Sequence, residues 1–109
     1  MFGESPEGFS TITPEDAKTV MSTQDVVILD VREPAEFATG HVPGAINVPL
    51  GEIRPGRVLP EAPDLEKTVL VYCRSGRRSD IGGRIMAESG YRDVRNFLGV
   101  IQWPYELVR

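Results

Sequence analysis

The chain has 109 residues, 40% of them hydrophobic and 26% charged, with a formal net charge of −4. That is the size and balance of one globular domain, able to bury roughly two thirds of its unfolded surface without a covalent staple. A single cysteine, Cys73, and a single histidine, His41, exclude an internal disulfide and leave too few soft ligands for a zinc site, so no metal is expected.

No apolar run approaches the roughly 20 residues that span a bilayer, and the opening Met-Phe-Gly-Glu-Ser-Pro-Glu-Gly lacks the basic-then-apolar order of a secretory leader. The expectation is a soluble chain without a membrane partner, in a reducing cytoplasm where an unpaired thiol persists.

Residues 1–10 are rich in Gly, Ser, Glu and Pro and read as a flexible segment ahead of one domain over 11–109. Thr13-Pro14-Glu15-Asp16 is a helix start, with Thr as N-cap, Pro at the first helical position and acids in the first turn. Ala17, Val20 and Met21 give that helix its apolar side. Val26 to Val31 reads as a strand buried on both faces. Pro34 opens a short helix to Thr39 that Gly40 closes, and Ala45 to Val48 is a second short strand. Residues 51–66 carry Pro55, Pro60 and Pro63 with Gly51 and Gly56, so loop with one helical turn is expected. Thr68 to Tyr72 is a further buried strand, Ser79 to Ser89 a helix ended by Gly90, and Val94 to Phe97 the last strand. Ile101, Trp103 and Leu107 are expected to cap the core. Strands alternating with helices over short loops make an α/β fold with a parallel sheet covered on both sides.

Chemistry concentrates at Val71-Tyr72-Cys73-Arg74-Ser75-Gly76-Arg77-Arg78-Ser79, where a strand, a short polar loop and a helix start follow one another. In open α/β sheets ligands bind beyond the carboxyl ends of the strands, which is where Cys73 falls. Gly76 lets successive amides turn inward as an anion cradle, and the following helix aims its positive end at the same point. Lowering a thiol pKa by about 2 units takes about 2.7 kcal/mol of preference for the anion, whereas a helix dipole contributes about 0.3–1 kcal/mol. Inward amides together with Arg74 and Arg78 are therefore expected to supply the rest. The same arginines lack interleaved aromatic residues on an acidic chain, which argues against nucleic acid as a partner.

Three segments in order, Leu29-Asp30-Val31-Arg32-Glu33-Pro34 with Glu36-Phe37, Gly40 to Pro49, and Val71 to Ser79, resemble single-domain rhodaneses, the thiosulfate sulfurtransferases, over roughly Ile12 to Trp103. The resemblance implies a rhodanese-like three-layer fold with a central, mostly parallel sheet and helices on both faces. It implies that Cys73 is the nucleophile, taking sulfane sulfur as a persulfide. Arg74, Ser75, Gly76, Arg77 and Arg78 would bind a small anionic donor such as thiosulfate, and the acceptor would be cyanide, a thiol or a protein thiol. Asp30, Arg32 and Ser79 would brace the loop from behind. His41, in the structural Gly-His-Val-Pro-Gly of that family, is not expected to act as a base, and no cofactor is needed.

Two departures from the family pattern stand out. A Gly-Gly pair common in the family is Leu98-Gly99 here, and Asp80 occupies a position often small and neutral, where its charge would oppose a thiolate. Removing that charge with Asp80→Ala is therefore expected to lower the Cys73 pKa. Gly82-Gly83 inside the helix costs about 1 kcal/mol per glycine in propensity, and close packing on the sheet is the expected reason. A phosphatase or arsenate reductase of similar fold would carry a loop one residue longer, Cys-x5-Arg, whereas the position after five intervening residues here is Ser79. A catalytically idle, regulatory interaction module would not need the thiol and its arginine loop together, whereas a persulfide carrier whose donor or acceptor is another protein would differ from the enzyme only in partner.

Overall fold

The structure, a computed structural model, describes residues 5–109. Five parallel strands form one sheet in the order β1-β5-β4-β2-β3: β1 is Phe9–Thr11, β2 Val27–Asp30, β3 Ile46–Asn47, β4 Val69–Cys73 and β5 Val94–Gly99. Every residue of central β4 is buried, as a run of alternating Val, Leu and Tyr covered on both faces requires. Its side chains divide by strand parity. Val69, Val71 and Cys73 join one apolar cluster with Leu29, Met86 and Tyr91, while Leu70 and Tyr72 join another with Ala17, Phe97 and Trp103.

Helix α1, Pro14–Thr23, covers the second cluster through Ala17; Thr13 caps it by accepting the Asp16 N–H at 3.0 Å. Helix α3, Arg77–Glu88, covers the first. The short α2, Pro34–Thr39, links β2 to β3 at the carboxyl end of the sheet, and a single 3-10 turn, Leu50–Glu52, begins the proline-rich connection. Among the described residues no helix is long and apolar enough to cross a membrane.

The layered arrangement and the parallel sheet are as the sequence implies, with three corrections. Of the segment expected to be flexible, residues 1–4 lie outside the described residues, but Phe9 and Ser10 pair with Val94 and Arg95 as an edge strand. Helix α3 begins at Arg77, two residues before the expected Ser79, because Gly76 takes a left-handed conformation (φ 108°) as its N-cap. Of the residues expected to cap the core only Trp103 is buried; Ile101 and Leu107 are 59% and 42% exposed.

The pair Gly82-Gly83 has the expected packing role. A methyl group on Gly82 would sit 3.1 Å from Ile53 Cδ1, and one on Gly83 would run into the Phe9 ring and lie 3.3 Å from Val71 Cγ2. Between β4 and β5 the register slips: Val71 faces Asn96 and Cys73 faces Gly99, so β5 carries one extra residue. Leu98 lies inside that bulge with φ 78°, a backbone angle that bulges usually assign to glycine.

Candidate active site

Cys73 ends β4, and the next residues fold back around its sulfur. The Gly76 N–H donates to Cys73 Sγ at 3.1 Å, and the Ser79 hydroxyl lies 3.4 Å from the same atom. Cys73 is only 1% exposed. Burial pushes its pKa up, but the Ser79 hydroxyl and the backbone amides of Ser79, Gly76 and Ser75 outweigh it, and the thiol titrates below its ordinary value. The turn after β5 holds this loop in place: Val100 and Ile101 donate their N–H groups to the carbonyls of Cys73 and Arg74 at 3.1 and 3.2 Å.

The arginines are arranged differently from the expectation. Arg74 and Arg77 are exposed at the rim. Arg78 reaches across to α2 and makes a bidentate pair with Glu36, at 2.7 and 3.0 Å. Hydrogen bonding from Arg78 holds the Glu36 carboxyl down at about 2. The Arg78 guanidinium also interacts with the Cys73 sulfur, so one cation serves both anionic groups. The cradle is thus built chiefly from amides and one hydroxyl, with Arg78 as its charged neighbour and Arg74 outside it. Arg74 instead lines a cleft of about 390 Å³ beside the loop, together with Arg32, Ala35, Glu36, Thr39 and Val100. A hollow of about 460 Å³ lies around Gly8, Gly90 and Arg92 at the amino ends of the strands, away from the loop.

Behind the loop stands Asn96, which sequence reasoning missed. Buried at 2%, it donates from Nδ2 to the Gly76 carbonyl at 3.1 Å. Its Oδ1 accepts from the Leu98 N–H at 3.0 Å and lies 2.7 Å from Ser79 Oγ. The available signal was a lone amide two residues from Val94 on the inward side of its strand, where a buried polar group must find partners. The Leu98-Gly99 departure falls in the same place. Any side chain on Gly99 would collide with the Arg74 carbonyl, and the Leu98 side chain packs on Gly76.

Asp30 and Arg32 form a buried pair, with the Arg32 Nη2 to Asp30 Oδ2 distance at 2.7 Å, but their further bonds do not reach the cysteine loop. Arg32 donates to the Gly40 carbonyl at 2.7 Å, and Asn47 Nδ2 donates to the Asp30 and Arg32 carbonyls at 3.0 and 2.8 Å. The brace therefore secures the β2–α2–β3 connection. Ser79, by contrast, touches the sulfur directly. His41 stacks on Phe37, ring centroids 3.7 Å apart, with Nδ1 3.1 Å from the Phe37 carbonyl oxygen, in keeping with a structural role. Asp80 turns to Arg84, which donates to it at 3.0 Å, so its charge is met one helical turn away from the sulfur.

Comparison with known proteins gives a consistent result. A family model described as the rhodanese-like domain matches residues 13–103. The chain is 43% identical over 72 residues to the thiosulfate sulfurtransferase PspE of Escherichia coli, spanning 66% of this chain and 68% of that protein. It is 32% identical over 98 residues to the thiosulfate:glutathione sulfurtransferase of Saccharomyces cerevisiae, covering 78% of this chain and 70% of the relative. Among solved structures, a rhodanese with anions from E. coli superposes with a TM-score of 0.71 at 38% identity, covering 78% of this chain and 99% of that one.

Proposed function

The chain belongs to the rhodanese family of sulfurtransferases, and from that premise we propose that it moves sulfane sulfur from thiosulfate, or a similar anionic donor, through a persulfide on Cys73 to cyanide or a thiol. The Cys73 thiolate attacks the outer sulfur of the donor. The donor's S–S bond breaks, sulfite leaves with the electron pair, and Cys73 carries the transferred sulfur. An acceptor nucleophile then attacks that outer sulfur, and the Sγ–S bond returns its electron pair to Cys73.

The observation that carries this reading is the cradle itself, a sulfur at 3.1 Å from the Gly76 amide with the Ser79 hydroxyl beside it. Such a cradle stabilises anionic sulfur at the attacking and leaving stages alike. The near-complete burial of Cys73 favours a narrow sulfane end over a tetrahedral phosphoryl group. Arg74 and Arg77 at the rim supply attraction for a dianionic donor. A protein thiol as acceptor draws support from the same rim, where exposed Ile101 stands beside Arg74.

Incubation with thiosulfate should make the intact protein heavier by one sulfur atom, cyanide should reverse the gain, and Cys73→Ser should abolish it. An unchanged mass accompanied by phosphate-ester hydrolysis would replace this reading with a phosphatase.

A further inference from the structure

The Ser79 hydroxyl has one hydrogen to donate and three acceptors within reach: Asn96 Oδ1 at 2.7 Å, Cys73 Sγ at 3.4 Å and the Leu98 carbonyl at 3.4 Å. The orientation of the Asn96 amide is fixed by backbone groups of fixed polarity. The Leu98 N–H can only donate, so Oδ1 faces it, and the Gly76 carbonyl can only accept, so Nδ2 faces it. With Oδ1 an acceptor, the 2.7 Å approach of Ser79 Oγ places the hydroxyl hydrogen on the asparagine side. A neutral sulfur then meets only the lone pairs of Ser79 Oγ. An anionic sulfur needs the hydrogen, and a rotation about the Ser79 Cβ–Oγ bond delivers it.

We propose that Asn96 is a positioning residue that holds the Ser79 hydrogen away from Cys73 while the sulfur is neutral and releases it as negative charge develops on Sγ. The inference rests on the persulfide chemistry above, in which Sγ alternates between the two states. Sγ is anionic before attack, neutral as the inner atom of the persulfide, and anionic again as the Sγ–S bond breaks toward the acceptor. The hydroxyl would therefore bond to Sγ, then to Asn96, then to Sγ again. A hydrogen bond made to the departing thiolate and absent from the persulfide lowers the barrier to release without stabilising the state that must be left. Through Nδ2 the same asparagine anchors the Gly76 carbonyl, and with it the N–H aimed at the sulfur.

The charged groups around the sulfur leave this device as the adjustable element. Arg78, in the first turn of α3, is fixed by Glu36 of α2 and faces the sulfur as a constant positive charge. Asp80 of α3 is held by Arg84, and at the end of β2 Asp30 and the following Arg32 neutralise each other. Arg74 and Arg77 extend to solvent.

The test follows the Asn96 side-chain amide by 15N–1H NMR while pH is varied, with the Cys73 midpoint obtained independently from the pH dependence of iodoacetamide alkylation. In the unmutated chain the Asn96 amide resonances should shift at the Cys73 midpoint. The shift should disappear in Ser79→Ala although Cys73 still titrates, and both should be absent in Cys73→Ala. Ser79→Ala should also discharge a preformed persulfide to cyanide about tenfold or more slowly, the worth of one hydrogen bond to a charged group, and Ser79→Thr should restore the rate. An Asn96 amide that ignores the Cys73 titration, or that follows it equally in Ser79→Ala, overturns the proposal. The spectra of the unmutated chain decide this without any Asn96 variant having to fold. Absence of a mass gain with thiosulfate would instead remove the persulfide reading, an outcome scored separately from the spectra.

Discussion

Gly76 shows how much of this site depends on one backbone conformation. Its φ of 108° turns the N–H onto the sulfur, and a methyl group there would meet Leu98 Cα and Cδ2 at 3.1 Å. Gly76→Ala should therefore cost about 1–3 kcal/mol in urea unfolding and raise the alkylation midpoint of Cys73, since the displaced amide no longer meets the thiolate. Glu36 makes a different contribution. Its pKa is about 2 in the folded protein, held down by Arg78, against 4.5 for the free group. A carboxylate depressed in this way stabilises the fold fully above pH 4.5, and that contribution is lost as pH falls toward 2. The stability difference between the unmutated chain and Glu36→Gln, measured by urea melts, should accordingly be constant above about pH 5 and shrink below about pH 4. Cys73 and Gly76 were legible in the sequence because a thiol, a glycine and a helix start in succession have few other uses. Asn96 and Glu36 were not, since their roles exist only once β5 and α2 are brought against the loop from 23 residues downstream of Cys73 and 37 upstream.

Among the elements, α3 is the one whose composition most opposes its conformation. Two adjacent glycines cost about 1 kcal/mol each relative to alanine, and the structure separates their reasons for being there. The neighbours of Gly82 are the methyl ends of Leu50 and Ile53, which can rotate aside, whereas Gly83 faces the Phe9 ring and the branched Val71 of the central strand. Gly82→Ala should therefore leave stability unchanged or raise it by up to about 1 kcal/mol. Gly83→Ala should lower it by about 1–3 kcal/mol, because β1 must move away from α3 to admit the methyl group. Thermal melts of the two variants check the pair, and equal effects would mean that β1 yields freely. Periodicity revealed the longer helices and the inner strands because each carries its own apolar pattern. Strand β1 escaped that reading, since Phe9-Ser10-Thr11 holds a single apolar residue and its partner, β5, begins at Val94.

At the scale of the whole molecule, the carboxyl edge of the sheet carries two polar systems side by side, and they divide the work. One surrounds Cys73, and the other joins Asp30, Arg32, Gly40 and Asn47. The sequence motif that contains Asp30 and Arg32 marked them as important without showing which system they serve, because the direction of a side chain is set by packing rather than by spacing. The pair's bonds run to the β2–α2–β3 connection and to Tyr72, which lies on the opposite face of β4 from Cys73, so its loss should register in stability first. Arg32→Met would leave the Asp30 carboxylate buried at 0% exposure without its bidentate partner. Removing one member of a buried pair costs about 3–5 kcal/mol, a large share of the roughly 5–15 kcal/mol that holds a domain of this kind together. The variant should melt well below the unmutated chain. At temperatures where it remains folded, the pH midpoint of Cys73 alkylation should be unchanged, because the amides of Ser75, Gly76 and Ser79 stay in place. A midpoint that moves with Arg32 would join the two systems into one, and would return Asp30 and Arg32 to the bracing role first read from the sequence.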